Sequence, residues 1–140
     1  MERQCTNLPF LTLMQTSKAI HDRIKEELAK NNLSITDFSV LEVLYHKGKQ
    51  TIQQIGNSVL ISSGSMTYVI DKLEQKGLVI RSACLEDRRV IHITLTDAGT
   101  DLMNKVMPKY KEFINEIFEL LTADEAEALV QLLKKVGNNI

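Results

Sequence analysis

Hydrophobic positions recur along the chain in two rhythms, and the switch between them divides the sequence. From Leu8 to Asn31 the apolar residues Phe10/Leu11, Leu13/Met14, Ile20, Ile24 and Leu28 fall at steps of three and four, which predicts an amphipathic helix ended by Asn31-Asn32. A second helix is expected with Thr36 as its cap, Phe38, Leu41, Leu44 and Tyr45 inward, and its stop near Gly48. After the polar loop Lys47-Gly48-Lys49-Gln50, a short helix runs from Ile52 to about Val59 with Ile55 inward. Leu60-Ile61 and Ser62 make a turn, and Ser62 caps a helix that ends at Gly77. The period then drops to two. Leu78 to Ala83 and Val90 to Thr96 read as strands, with Ile91, Ile93 and Leu95 alternating with His92 and Thr94, one face buried and one wet. Helical spacing returns after Thr96, which caps a helix carrying Met103, Val106, Tyr110, Phe113/Ile114, Ile117 and Leu121. Pro108 lies within it, and the backbone donor it lacks predicts a kink. Thr122-x-x-Glu125 is a capping box that opens the last helix, with Ala126, Leu129/Val130, Leu133 and Val136 on one face.

The elements add up to a mainly α fold with a small β-wing. Residues 36–96 read as a winged helix-turn-helix, flanked by helical segments at 1–35 and 97–140 in a single 140-residue domain. No repeat, low-complexity tract or long linker separates these parts. The terminal stripes are longer than a winged domain of ~50 residues can cover, so a second copy of the chain is expected to bury them as dimerisation helices. A monomer with those helices folded against its own core is the alternative.

Composition narrows the function. A hydrophobic fraction of 44% and a charged fraction of 25% are ordinary for a folded protein. No apolar run approaches the ~20 residues needed to cross a bilayer. Met1-Glu2-Arg3-Gln4-Cys5 lacks the basic flank and apolar core of a signal peptide, so a cytoplasmic location with no membrane partner is expected. The net charge of −1 conceals an uneven distribution: residues 44–93 carry seven Lys/Arg against four Asp/Glu, and both flanks are acidic. Phosphate affinity follows local potential, so the near-neutral total is no obstacle to DNA binding. Cys5 and Cys84 form no C-x-x-C pair, and His21, His46 and His92 add no ligand spacing, so neither a metal nor any other cofactor is expected. There is no Gly-rich phosphate loop, no Gly-x-Ser-x-Gly elbow and no plausible carboxylate pair, so an enzyme is not expected.

DNA chemistry is concentrated in two places. In the helix after the turn, Met66, Val69, Ile70 and Leu73 share one stripe at about 100° per residue. Gly64, Thr67, Tyr68, Asp71 and Gln75 lie opposite, with Ser65 and Lys72 on one flank and Ser63 on the other. The N-terminal half of such a helix enters the major groove; Gly64 permits close approach, Ser63, Ser65, Thr67 and Tyr68 offer hydroxyls, and Lys72 on the flank is expected among the DNA contacts. The second place is the hairpin tip, where Arg89, with Arg88, can reach a narrow minor groove. Asp87 beside Arg89 can hold the guanidinium in one orientation. A protein-binding winged helix, the competing reading, would not need Arg88 and Arg89 at that tip.

These residues resemble those of the MarR family of winged-helix regulators. The resemblance covers nearly the whole chain, through the Asp-x-Arg wing (Asp87, Arg89), Leu95-Thr96-x-x-Gly99, and Asp71-Lys72-Leu73-Glu74-x-x-Gly77-Leu78. Ser63-Gly64-Ser65-Met66-Thr67-Tyr68-Val69, with Ala83-Cys84 before the wing tip, is similar to the family's quinone- and hydroquinone-responsive subgroup. Cys84-Leu85 departs from the Asp-Pro found there in many members and leaves the loop less rigid. The resemblance implies a homodimer on a pseudo-palindromic double-stranded operator, with half-sites about one helical turn (~34 Å) apart, repressing genes until an inducer releases it. It implies release either by a small aromatic ligand or by cysteine oxidation. Phe10, Met14, His21, Phe38, Tyr45, His46 and Met103 are the candidates for a phenolic pocket, and Cys5 and Cys84 for a redox sensor.

Overall fold

The computed structural model describes residues 7–59 and 63–140. The turn expected at 60–62, the cap assigned to Ser62, and Cys5 lie outside the described residues. Helix α1 spans Leu8–Ala29; the Asn7 side chain accepts from the Phe10 N–H at 2.9 Å, and Asn32 turns the chain at φ 57°. Helix α2 spans Ile35–Lys47. Its cap is Ser34, not Thr36. The Ser34 hydroxyl accepts from the Asp37 N–H at 3.0 Å while the Asp37 carboxylate accepts from the Ser34 N–H at 3.3 Å, a reciprocal box that Thr36 has no partner to form.

The expected polar loop at 47–50 is also corrected in part. Gln50–Thr51 is a two-residue strand, β1, too short to show as periodicity. Thr51 and Gln54 then form a second capping box (3.1 and 2.8 Å) that starts α3 at Ile52–Val59. Helix α4 runs Ser63–Gln75, followed by β2 (Val79–Ala83), β3 (Ile91–Leu95), α5 (Asp97–Ile117) and α6 (Ala123–Asn138). The strands pair antiparallel in the order β1-β3-β2, with Gln50 opposite Ile93 and Val79 opposite Leu95. The expected alternation on β3 holds only at Ile93, which is fully buried; Ile91 is exposed, and His92 and Thr94 are half-buried. β3 is the central strand, so Thr51 and Ser82 flank His92 on either side in the sheet.

The chain divides into two compact units, Met1–Val106 and Met107–Ile140. In the first, the buried side chains include Phe38, Leu41 and Leu44 of α2, Ile55 of α3, Met66, Ile70 and Leu73 of α4, and Val79, Ile93 and Met103. In the second, Met107 and Phe113 are buried and α6 buries nothing; its Val130, Leu132, Leu133 and Val136 are exposed.

Two glycines and one threonine join α4, the sheet and α5. Gly77, at φ 74°, ends α4 in a Schellman turn: the Leu78 N–H reaches the Leu73 carbonyl at 3.0 Å and the Gly77 N–H reaches that of Glu74 at 2.9 Å. The Thr96 hydroxyl donates to the Gly77 carbonyl at 2.6 Å and accepts from the Gly99 N–H at 3.1 Å, which makes Thr96 the expected cap of α5. Gly99 is required because a Cβ there would collide with the Leu78 carbonyl oxygen, a backbone atom that cannot swing aside. Gly99→Ala should therefore destabilise the protein by about 3 kcal/mol, roughly 10 °C in Tm. Thermal unfolding of the variant tests this, and an unchanged Tm would refute the contact.

Candidate nucleic-acid interface

Helix α4 divides cleanly into two faces. Met66, Val69, Ile70 and Leu73 are buried, while Ser65, Thr67, Tyr68 and Asp71 are exposed, Tyr68 by 68%. Ser63 and Gly64 occupy its first two positions. The exposed face is thus rich in hydroxyls, and the cation on its flank is already engaged. Lys72 places its ammonium 3.0 Å from Oδ1 of Asp37, whose side chain is only 2% exposed. That contact is an ion pair without the alignment of a hydrogen bond. Lys76 lies 4.0 Å from Oδ2 of the same carboxylate and donates to the Asn32 carbonyl at 3.3 Å.

Sequence reasoning does not single out Asp37 as a site residue, although Ser34-x-x-Asp37 before an apolar run is a capping signal. Its carboxylate closes the box at the start of α2 and faces α4. Between these elements lies an open cleft of about 560 Å³, lined by Ser34, Thr36 and Asp37 on one side and Ser65, Tyr68, Val69 and Lys72 on the other.

The second charged joint ties α4 to the ribbon. Arg81 of β2 donates from Nη1 to Glu74 at 2.7 Å and from Nη2 to Asp71, and its N–H also reaches Glu74 at 3.2 Å. Partial burial lowers the pKa of this guanidinium, but its hydrogen bonds to Asp71 and Glu74, and their negative charges, outweigh it and raise the value overall. Arg81 is therefore a brace between α4 and β2, and its charge is largely spent on the two acids.

At the wing tip the chain turns tightly, with the Val90 N–H on the Asp87 carbonyl (3.0 Å) and the Cys84 N–H on the Val90 carbonyl (2.9 Å). Asp87 takes three bonds from Arg89: the backbone N–H at 3.0 Å, Nε at 3.1 Å and Nη2 at 3.3 Å. The guanidinium remains 91% exposed, so the carboxylate orients it without hiding it. Arg88 is exposed, and no ion pair holds it among the described residues.

Comparison with known proteins places this arrangement. The MarR family profile matches residues 33–91, from the start of α2 to the wing. The chain is similar to the HTH-type transcriptional regulator MhqR of Bacillus subtilis (strain 168), at 44% identity over 93% of this chain and 90% of that protein. The chain belongs to the MarR family. It is a DNA-binding transcriptional regulator of the MarR type with a winged helix-turn-helix. Its fold is similar to that of a single-site mutant of MarR from E. coli complexed with operator DNA, at a TM-score of 0.83 and 25% identity, covering 92% of this chain and 94% of that one. It is also similar to NadR in complex with 4-hydroxyphenylacetate, at a TM-score of 0.76 and 24% identity over 97% of each chain.

The expected sensing residues of this MarR-family chain are dispersed. Phe10, Met14 and His21 are exposed on α1, whereas Phe38 and Met103 are buried in the core. Tyr45 and His46 are in ring contact, edge to face at 5.5 Å, and the Tyr45 hydroxyl donates to Asn104 at 2.6 Å. None of the seven lines the cleft beside α4. Cys84 is a half-buried free thiol at the base of the wing loop. Among the described residues no group of three His, Cys, Asp or Glu could hold a metal ion, and no helix is long and apolar enough to cross a membrane.

The wing geometry fixes the behaviour of Asp87. Side-chain and then backbone hydrogen bonds from Arg89 hold its pKa below the ordinary 3.8. A lowered carboxylate pKa means the pair is fully formed above 3.8 and is lost only as the pH falls through the depressed value. Arg89→Ala should raise the Asp87 midpoint back toward 3.8, measured by NMR titration of the carboxyl carbon. A midpoint that does not move would show that the two side chains are not paired in solution.

Proposed function

We propose that this protein is a homodimeric repressor. It binds an inverted-repeat operator through α4 and the wing and is released by a small phenolic, quinone-type inducer. The observation that carries the DNA reading is the Asp87-oriented guanidinium of Arg89, exposed at the tip of an antiparallel ribbon that Arg81 ties to the hydroxyl-bearing helix α4. Ser63, Gly64, Ser65, Thr67 and Tyr68 meet the major groove, where hydroxyls contact phosphates and base edges. Arg89, with Arg88, enters the minor groove, whose negative potential is strongest over A·T-rich sequence.

Pairing is supported by what one chain leaves uncovered. Leu8, Phe10, Leu13 and Met14 on α1 are exposed, as are Leu120, Leu121, Val130, Leu132, Leu133 and Val136 in the second unit. A monomer rarely exposes so much apolar surface, and a second copy supplies the same stripes in return. Two α4 helices then address half-sites about one turn, or ~34 Å, apart. The inducer reading rests on likeness: the chain is similar to MhqR, and the similarly folded NadR is known in complex with 4-hydroxyphenylacetate, a phenolic acid. Release by thiol oxidation is the second reading, favoured by the position of Cys84 at the wing base.

Arg89→Ala should weaken binding to the palindromic duplex selected by the wild-type protein by roughly 1–3 kcal/mol, while sedimentation still shows a dimer. Wild-type affinity in the variant would remove the wing from the interface. For the signal, a gel-shift titration with a hydroquinone should release the wild-type protein and a Cys5→Ser/Cys84→Ser double variant alike. Loss of release in the double variant would replace ligand sensing with thiol sensing.

A further inference from the structure

The charged groups of the winged unit show a pattern that DNA binding alone does not require. The two lysines of the α4 segment converge on one buried carboxylate from another element, Asp37. Arg81 is shared by Asp71 and Glu74, and Arg89 is held by Asp87. Of these, the Lys72–Asp37 pair has the most consequence. Lys72 lies on the same helix as Ser65 and Tyr68 and lines the same cleft, so its ammonium is within one side chain's swing of the proposed DNA face. A phosphate drawn to it would have to take it from a carboxylate that is almost wholly buried and that would be left with Lys76, 4.0 Å away, as its nearest cation. Stranding a buried carboxylate is a larger penalty than an exposed phosphate contact returns.

We propose that Asp37 is a specificity-determining positioning residue: its buried carboxylate keeps Lys72 on the seam between α2 and α4 and off the DNA backbone. The inference rests on the reading of α4 as the DNA-contacting helix. A phosphate contact from Lys72 would strengthen binding to every sequence equally, because the backbone carries no sequence information. With Lys72 withheld, α4 engages DNA through Ser65, Thr67 and Tyr68, whose short-range contacts reward the correct bases. Asp37 thereby lowers affinity for random DNA and widens the gap to the operator. The carboxylate also sets the placement of α4 by joining it to the capping box of α2.

The salt dependence of binding separates this role from a merely structural one. Each phosphate neutralised contributes about 0.9 to the slope of log K against log salt. The full-length protein is titrated with the selected palindromic duplex and with a random duplex between roughly 50 and 200 mM salt. Asp37→Asn frees Lys72, so the slope should steepen by about 0.9 per subunit, and random DNA should be bound more tightly relative to the operator. The Asp37→Asn/Lys72→Met double variant strands no buried charge and should return to the wild-type slope.

If Asp37→Asn alone does not fold, the double variant decides the question. A slope shallower than wild type by about 0.9 per subunit would mean that Lys72 already sits on a phosphate, and the proposal fails. An unchanged slope in folded Asp37→Asn would overturn it equally. Wild-type protein with no preference for any palindrome would instead defeat the DNA reading itself, which keeps the two failures apart.

Discussion

Burial of the apolar stripe of α4 governs everything the winged unit presents to its surroundings. Met66, Ile70 and Leu73 are wholly enclosed and Val69 nearly so. Each such side chain contributes roughly 1.5–3 kcal/mol when removed from water, far more than any exposed ion pair. Hydrophobic burial therefore sets the rotation of the helix about its axis. Once that rotation is set, Ser65, Thr67, Tyr68 and Asp71 must point outward. A slip of one residue would turn the helix by about 100° and bring polar groups into the core. The Schellman turn at Gly77 and the Thr96 hydroxyl then hold the far end of α4 against the sheet and the start of α5.

Charge refines a placement that burial has already made. The Arg81 brace ties α4 to β2 and the Asp37 carboxylate ties it to α2, so both polar joints act on the same helix. At the wing, Asp87 removes much of the rotational freedom of Arg89 while leaving the guanidinium in solvent. These pairs add little to folding stability, because most are exposed and screened. Their effect is to pre-organise: a side chain already aligned loses less entropy when it meets its partner. The formal excess of cations in residues 44–93 thus overstates the positive charge available to DNA. Specific contacts gain relative to sequence-blind attraction.

The outer elements obey the opposite rule. Helix α1 buries only Leu28, and α6 buries no residue, although both carry regular apolar stripes. A stripe of that kind is unstable in water unless something covers it. Under the homodimer reading the partner's identical stripes provide the cover. The spacing of the two α4 helices is then set by helix packing far from the DNA, which gives an inducer acting on those helices a way to change operator fit.

The element pattern and its chemistry are legible in the sequence because they rest on local rules. Period three-to-four, period two, the Thr122-x-x-Glu125 box, the Thr96 cap and the juxtaposition of Asp87 with Arg89 each involve residues within about one turn of one another. Thr36 is a possible cap by residue type, but Ser34 is the better one and alone has a reciprocal partner, Asp37, three residues on. Strand β1 leaves no trace in the pattern because two residues carry no period, and it exists only through pairing with the distant β3. The same limit applies to Lys72. Its position on the flank of α4 follows from helix geometry, but its counter-charge, Asp37, comes from a different helix. The spending of Arg81 on Asp71 and Glu74 likewise needs β2 folded back on α4. Sequence determined which faces are apolar and which residues can cap, turn or carry charge. Tertiary structure decided which of those charges remain available, because an ion pair between distant elements forms only where packing brings them together.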